Sequence, residues 1–417
     1  MRMSCRAAGL GRGLMWILAA LLLPGAAGAR DLFVGRISIA GNQFGGSTSK
    51  LREVPELFDN ASLGALDPTY DPNDPVSAGV DLRGLPTLIG FDLNSTELFF
   101  QIPAIGLDVR FDAGDRNASQ EQFEEWLAGN FSSLLADDAL VTSVLQALVE
   151  YSPVDPVAGN PNSLQSRMFA ADYQMGTSGP LIGSGGGGED VRNLFSLRPA
   201  AGLYKGGPFD VTALDLPFNY AVNWEYLSLI VDVPLTATVT EGAWGGMGSL
   251  GLGLQVRPFG WWALTPAARI GGVGSIDVGG LAVMYSGTLT SQLRIPLGPI
   301  ALGIGNMGGA AKTVDGIEIG GYGLAYELLN WVTRNGGYLE GTFGPRILGG
   351  ALGWRVFGSD VRFFGDELFL DSYAEAGVSL ASARQMGEGR YDFLDVTFAY
   401  LWGDGYKGGS LRFGVRF

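Results

Sequence analysis

The chain has 417 residues, 47% hydrophobic and only 17% charged, with a formal net charge of −15, no histidine and a single cysteine. Without histidine, a Ser-His-Asp relay and imidazole-ligated zinc are both excluded, and an acidic chain has no sequence-wide footprint for nucleic acid. One cysteine allows no internal disulfide.

At the start of the chain, Arg2, Arg6 and Arg12 precede an apolar run from Leu14 to Leu23 and the small-residue site Ala27-Gly28-Ala29. A basic start, a short greasy core and an A-x-A site predict a secretory signal peptide over residues 1–29, cleaved after Ala29. The core is too short for a comfortable membrane span. Cys5 lies ahead of it and leaves with the signal, so it is not a lipidation site. Removing three of the 27 basic residues leaves 24 against 42 acidic ones, a charge of −18 on residues 30–417. No later segment has a run of about 18 apolar residues, so helical spans are not expected. So much apolar surface without a spanning helix fits a chain that crosses lipid as strands, and the 66 glycines suit strands and tight turns.

Residues 30–190 are expected to form an N-terminal strand-and-helix segment. Asp67 to Asp74 gather oxygen donors but lack the glycine and terminal glutamate of a calcium loop, so a solvated turn is the better reading. Leu98, Phe100 and Ile102, then Ile105, Leu107, Val109 and Phe111, alternate with a slip at Pro103-Ala104, which predicts a bulged strand or a hairpin. Ser119 with Gln122 reads as a capping box opening a short helix with Phe123, Trp126 and Leu127 on its apolar face, stopped by Gly129. A second helix follows Asp137, with Val141, Val144, Leu145, Leu148 and Val149 at helical spacing and Pro153 beyond its end. Helices packed on a strand or two are the expected content. The segment could be a plug in a barrel, a periplasmic unit or an external passenger. Gly183 to Gly188 match G-x-G-x-x-G by composition only and read as a flexible joint rather than a nucleotide site.

Residues 191–417 read as strand after strand. Leu227, Leu229, Val231, Val233, Leu235, Ala237 and Val239 share one face against Ser228, Asp232, Thr236 and Thr238. The same rhythm runs through 214–224, 250–256, 281–295 and 394–402. Each run approaches or exceeds about 10 residues, the length a tilted strand needs to cross hydrocarbon. The fold class is therefore all-β with a small α-containing N-terminal segment: an antiparallel transmembrane β-barrel of about 12–14 strands. A secreted β-sandwich is the alternative, but its strands are shorter, about 5–6 residues, and its outer faces carry lysine and glutamate. Pro217 and Pro234 fall inside two runs, where the strands are expected to bulge or end. Trp224, Trp244, Trp261, Trp262, Trp331, Trp354 and Trp402 lie mostly near run ends, as interfacial girdles do.

Counting from the apolar positions, Asp232, Arg257, Arg269, Arg294, Glu327, Arg355, Glu375, Asp395, Arg412 and Arg416 fall on the face away from lipid. An arginine facing outward near the midplane would cost about 2–4 kcal/mol, so the inward phase is expected. Such charges either line a pore or knit an internal salt-bridge network. No catalytic pair stands out, and neither a cofactor nor a metal is expected; the chain does not read as an enzyme.

At the far end Leu411, Phe413, Val415 and Phe417 form one greasy face, with Arg412 and Arg416 on the other. This resembles the carboxy-terminal signal of Gram-negative outer-membrane β-barrels, whose final aromatic is read by the barrel-assembly machinery. The resemblance implies an integral outer-membrane location in contact with outer-membrane lipid. A barrel of this size with a plug-like amino-terminal segment also resembles the FadL-type transporters of hydrophobic compounds in architecture only; none of that family's local motifs is matched, Asn160-Pro161 being no more than a faint echo. The function implied is a passive channel or diffusion transporter for small solutes. The alternative is a structural, adhesive or surface-display barrel whose working part is residues 30–190.

Overall fold

The computed structural model describes residues 31–50, 53–127, 138–177, 193–224, 226–275, 277, 280–314, 318–319, 322–323, 326–347, 350–383 and 393–416. The expected signal peptide, Gly129, the glycine run and Phe417 lie outside them.

The N-terminal segment contains a six-stranded antiparallel sheet rather than a strand or two. Its strands are β1 (Phe33–Ile39), β2 (Asn42–Thr48), β3 (Val76–Leu82), β4 (Leu85–Phe91), β5 (Leu98–Ile102) and β6 (Leu107–Phe111), ordered β2-β1-β3-β4-β5-β6. Period-two burial explains the ladder: Val76, Ala78, Val80 and Leu82 point into the core while their neighbours face out. Two-residue hairpins with positive φ at both positions, Ala40-Gly41 and Arg83-Gly84, match the twist of the strands they join. The slip at Pro103 is a hairpin: Leu98 pairs with Phe111 and Ile102 with Leu107 around a short 3-10 turn.

Three helices accompany this sheet: α1 (Asn60–Leu66), α2 (Arg116–Leu127) and α3 (Asp138–Tyr151). Helix α2 starts earlier than the Ser119 capping box suggested. Asp115 caps it, accepting from the Ala118 N–H at 3.0 Å, while the Ser119 hydroxyl turns back to the Asp115 carbonyl. Phe123 and Trp126 pack against Phe100 and Phe111, with ring centroids 5.2–5.7 Å apart. The Asp67–Asp74 cluster is a hydrogen-bonded turn. The Thr69 hydroxyl and amide, with Asn42, hold the Asp67 carboxyl below the usual carboxylate range; the Asn73 amide does the same for Asp71.

Gly90 is where this sheet is tightest. A Cβ there would lie 2.1 Å from the Val76 carbonyl oxygen and 2.9 Å from the Phe99 ring. Gly90→Val is therefore expected to destabilise the N-terminal sheet by at least about 1–3 kcal/mol through overpacking. Limited proteolysis should show residues 31–127 cut faster, with the heat-dependent gel shift of the barrel intact; equal cutting rates would refute the close-packing argument.

The second half closes into a 12-stranded antiparallel barrel. Its first strand is interrupted, β7 (Asn193–Leu197) followed by β8 (Ala200–Gly206), both lying between the last strand and β9 (Phe209–Asn223). The wall continues with β10 (Leu227–Thr240), β11 (Ala243–Phe259), β12 (Trp262–Ser275), β13 (Gly280–Leu297) and β14 (Ile300–Thr313). A small hairpin, β15 (Glu318–Ile319) with β16 (Tyr322–Gly323), interrupts it. Strands β17 (Leu329–Ile347), β18 (Gly350–Gly365), β19 (Ser372–Ala383), β20 (Phe393–Gly403) and β21 (Tyr406–Arg416) complete the ring.

Pro217 and Pro234 neither end nor bulge their strands. They face each other across β9 and β10 in unbroken register. A directly opposed proline pair must occupy a non-hydrogen-bonded site, so each missing N–H points to the other neighbour. On one side that neighbour is the gap between β7 and β8; on the other, the β10–β11 pairing skips residues 233–234. The sheet is interrupted where the donors are lacking.

Leu229, Leu235, Leu250, Leu252, Leu254, Ile270, Leu289, Val356, Val378, Val396 and Phe398 are exposed on the outside, whereas Asp232, Thr236, Ser286, Thr288, Thr290 and Gln292 are buried inside. Exposed Trp224, Tyr226, Phe259 and Trp261 mark one rim; Trp244, Trp331, Phe364 and Trp402 mark the other. These are the two interfacial girdles.

Candidate functional site

An even strand count places the start of β7 and the end of β21 on one rim, here called the terminal rim; the opposite rim is the mouth. The N-terminal sheet sits at the mouth, where Phe209, Val211 and Ala243 join its core. Below it, residues 152–163 form a buried coil stopper. The Asp155 carboxylate accepts from the Val157 N–H at 2.8 Å and the Tyr326 hydroxyl at 3.4 Å, and pairs with the Arg83 guanidinium at 3.6 Å. Arg83 and Asp155 are both fully buried. The Arg83-Gly84 hairpin therefore pins the N-terminal sheet to the stopper. Close approach explains the glycine: a Cβ on Gly84 would meet the Pro153 ring and the Tyr151 carbonyl at 3.0 Å.

Ser163 then opens helix α4 (Leu164–Thr177), its hydroxyl accepting from the Ser166 N–H at 3.4 Å, and α4 runs down inside the barrel. The mouth half of the lumen is a packed apolar core. Val149, Val157, Leu164, Met168 and Phe169 meet Met247, Val273, Met284, Met307, Val361, Phe363 and Tyr373 from the wall. The terminal half is polar. Arg269 lies at its centre, donating from Nε to Asp172 of α4 at 2.8 Å, from Nη2 to Asp232 at 2.7 Å and from Nη1 to Ser249 at 2.9 Å. Thr288 donates to the other Asp172 oxygen at 3.2 Å. Nearby, Arg167 of α4 pairs with Asp215 at 2.5 Å, and Arg334 pairs with Glu375 at 2.5 Å while lying over the Tyr173 ring.

The inward charges read from sequence occupy different settings. Asp232 and Arg269 belong to the Asp172 triad, and Glu375 holds Arg334. Arg294 and Arg355 clasp the same buried carboxylate, Glu340, at 2.8 and 2.6 Å. Arg257 donates to Gln255 at 3.1 Å and to Ser228. Asp395 accepts from Thr397 at 3.2 Å. Arg412 and Arg416 line a lumen cavity. Glu327 departs from the set. It lies on the mouth connection, not on a strand; its side chain is exposed and its carbonyl accepts from Gln146. The apparent alternation there breaks because β17 begins only at Leu329.

Sequence reading missed Asp172, Arg167 and Glu340. Helix α4 carries no clean apolar stripe, since lumen side chains surround it and bury its polar residues as well. It leans on β11–β13, and two cavities of about 160 and 110 Å³ remain on its other side.

Outward leucines, paired aromatic rims, a polar and ionic terminal interior and closure of the sheet decide the class. The chain is an outer-membrane β-barrel. No family model matches this barrel, and no curated protein matches it. Solved structures similar to it include the β domain of the Bordetella autotransporter BrkA (15% identity, TM-score 0.39, covering 54% of this chain and 99% of that one). Others are the translocator domain of the autotransporter NalP from Neisseria meningitidis (13%, 0.40, 61% and 94%) and an outer-membrane channel from Pseudomonas putida F1 (11%, 0.37, 57% and 100%).

Proposed function

We propose that the protein is a display anchor, its barrel fixing the chain in the outer membrane and holding the domain of residues 31–151 at an outward-facing mouth. The dry core between residues 149–169 and the strand interiors carries this reading, because it closes the mouth half with packed side chains rather than water. The longest fully described barrel connection favours that orientation. Barrels of this class keep short turns on the periplasmic side and longer loops outside. Residues 366–371 join two strands at the mouth, whereas 260–261 and 298–299 are two-residue turns at the terminal rim; the mouth turns 207–208, 241–242 and 404–405 are equally short. Insertion by the barrel-assembly machinery through Leu411, Phe413, Val415 and Phe417, after signal cleavage near Ala29, belongs to the same proposal.

A passive channel for small solutes is the second reading, favoured by the polar cavities beside α4. Two measurements separate them. On intact cells, protease is expected to remove residues 31–151 and leave the barrel, and bilayer recordings of the purified protein are expected to lack stable open steps. Large steady conductance with a protected N-terminal domain would overturn the display reading and favour the channel.

A further inference from the structure

The geometry points to a binding site for a small oxyanion, a carboxylate or inorganic phosphate, in the terminal half of the lumen. The larger cavity is lined by Arg198, Arg257, Arg412 and Arg416, with Asp215 and Asp232 as its acidic members. Both carboxylates are already engaged, Asp215 by Arg167 and Asp232 by Arg269. Neither carboxylate is thus free to neutralise Arg257 or Arg412. Among the described residues, Arg257 donates to neutral oxygens, those of Gln255 and Ser228, and Arg412 has no carboxylate partner. Nor does the end of α4 spend these arginines: its Gly176 and Thr177 carbonyls accept from Gln255 and Gln292 instead. Arg412 also borders the second cavity, where Arg198, Arg334 and Arg355 stand with Glu375 and Asp395. Planar guanidinium forks in a confined, partly desolvated space favour an oxyanion over a halide or a neutral solute, because two parallel N–H donors match two oxygens. At about 160 Å³ the cavity suits a small acid rather than a polymer. This site faces the terminal rim, away from the apolar stopper, and does not depend on which rim faces outward.

Titration calorimetry on the detergent-solubilised full chain, with inorganic phosphate and with succinate as separate probes, tests it. Saturable binding of at least one probe is expected, weakening as sodium chloride is raised. Arg257→Gln and Arg412→Gln are each expected to weaken it about tenfold or more, the scale of a charged hydrogen bond. Arg412→Lys should keep part of the affinity, and Arg362→Gln, at an exposed position outside the cavity, should leave it unchanged. Each variant must keep its heat-dependent gel shift; should Arg412→Gln lose it, Arg257→Gln alone decides. Binding of phosphate without succinate assigns a tetrahedral anion, and the reverse a carboxylate. No saturable heat with either probe, or unchanged affinity in Arg257→Gln, overturns the site while leaving the display reading standing.

Discussion

Arg269→Met is expected to produce the largest loss of barrel stability of any single lumen substitution. Arg269 and Asp172 are fully enclosed, and Asp232 nearly so. Removing the guanidinium leaves two carboxylates facing each other in a space closed to water. Breaking one buried pair by deleting a partner costs about 3–5 kcal/mol, and here two pairs go at once. The helix is then expected to leave the wall, since Asp172 is its ionic tie to β12. Two readouts follow: a lower temperature for the gel-shift transition, and conductance steps absent from the parent. The triple variant Arg269→Met, Asp172→Asn, Asp232→Asn removes the buried charge altogether and is expected to recover most of the loss. A parent-like transition in Arg269→Met would mean that the triad contributes nothing to holding α4.

Asp155→Ala should act on the other end of the stopper and spare the strands. It strands the Arg83 guanidinium in a fully buried position, again a change of about 3–5 kcal/mol, and it removes the acceptor of the Val157 and Ala158 amides. The expected outcome is an N-terminal domain that comes off the mouth while the barrel melts as before. Hydrogen exchange across 78–91 and 152–163 would show it as faster exchange in both segments together. Arg83→Met combined with Asp155→Asn should reseat the domain. Faster exchange confined to 152–163 would show that the hairpin docks through something other than the ion pair.

Much of the barrel was legible because lipid imposes a strict period of two. Leu229, Leu289 and Phe398 had to face outward, and Asp232 and Arg269 inward, whatever their partners. The pairings were not legible, since Arg269 meets residues 37 and 97 positions away, and only closure of the sheet brings them together. The interior also proved less polar than the alternation implied. Met284, Val332 and Phe363 sit on the inward phase at the mouth, where a protein stopper rather than water surrounds them. In the N-terminal sheet, Gly35 of β1 and Thr87 of β4 stand at inward positions and interrupt the apolar rhythm; β5 and β6 stood out. Glu327 shows the reverse hazard: phase counted across a strand boundary carries no meaning.

The polypeptide goes in at one rim as the stopper and starts its first strand at the other, with a single helix nearly filling the bore. If the mouth faces outward as proposed, a six-stranded sheet cannot pass such an opening in folded form, so it folds after its chain has crossed or before the wall closes around it. The sheet is built for this. Four of its five strand pairings join neighbours in sequence, β1 with β2 and then β3 through β6 in order. Hairpins added one at a time need little search, and only the β1–β3 pairing closes a longer loop, so the unit can assemble from an emerging strand without an external energy source.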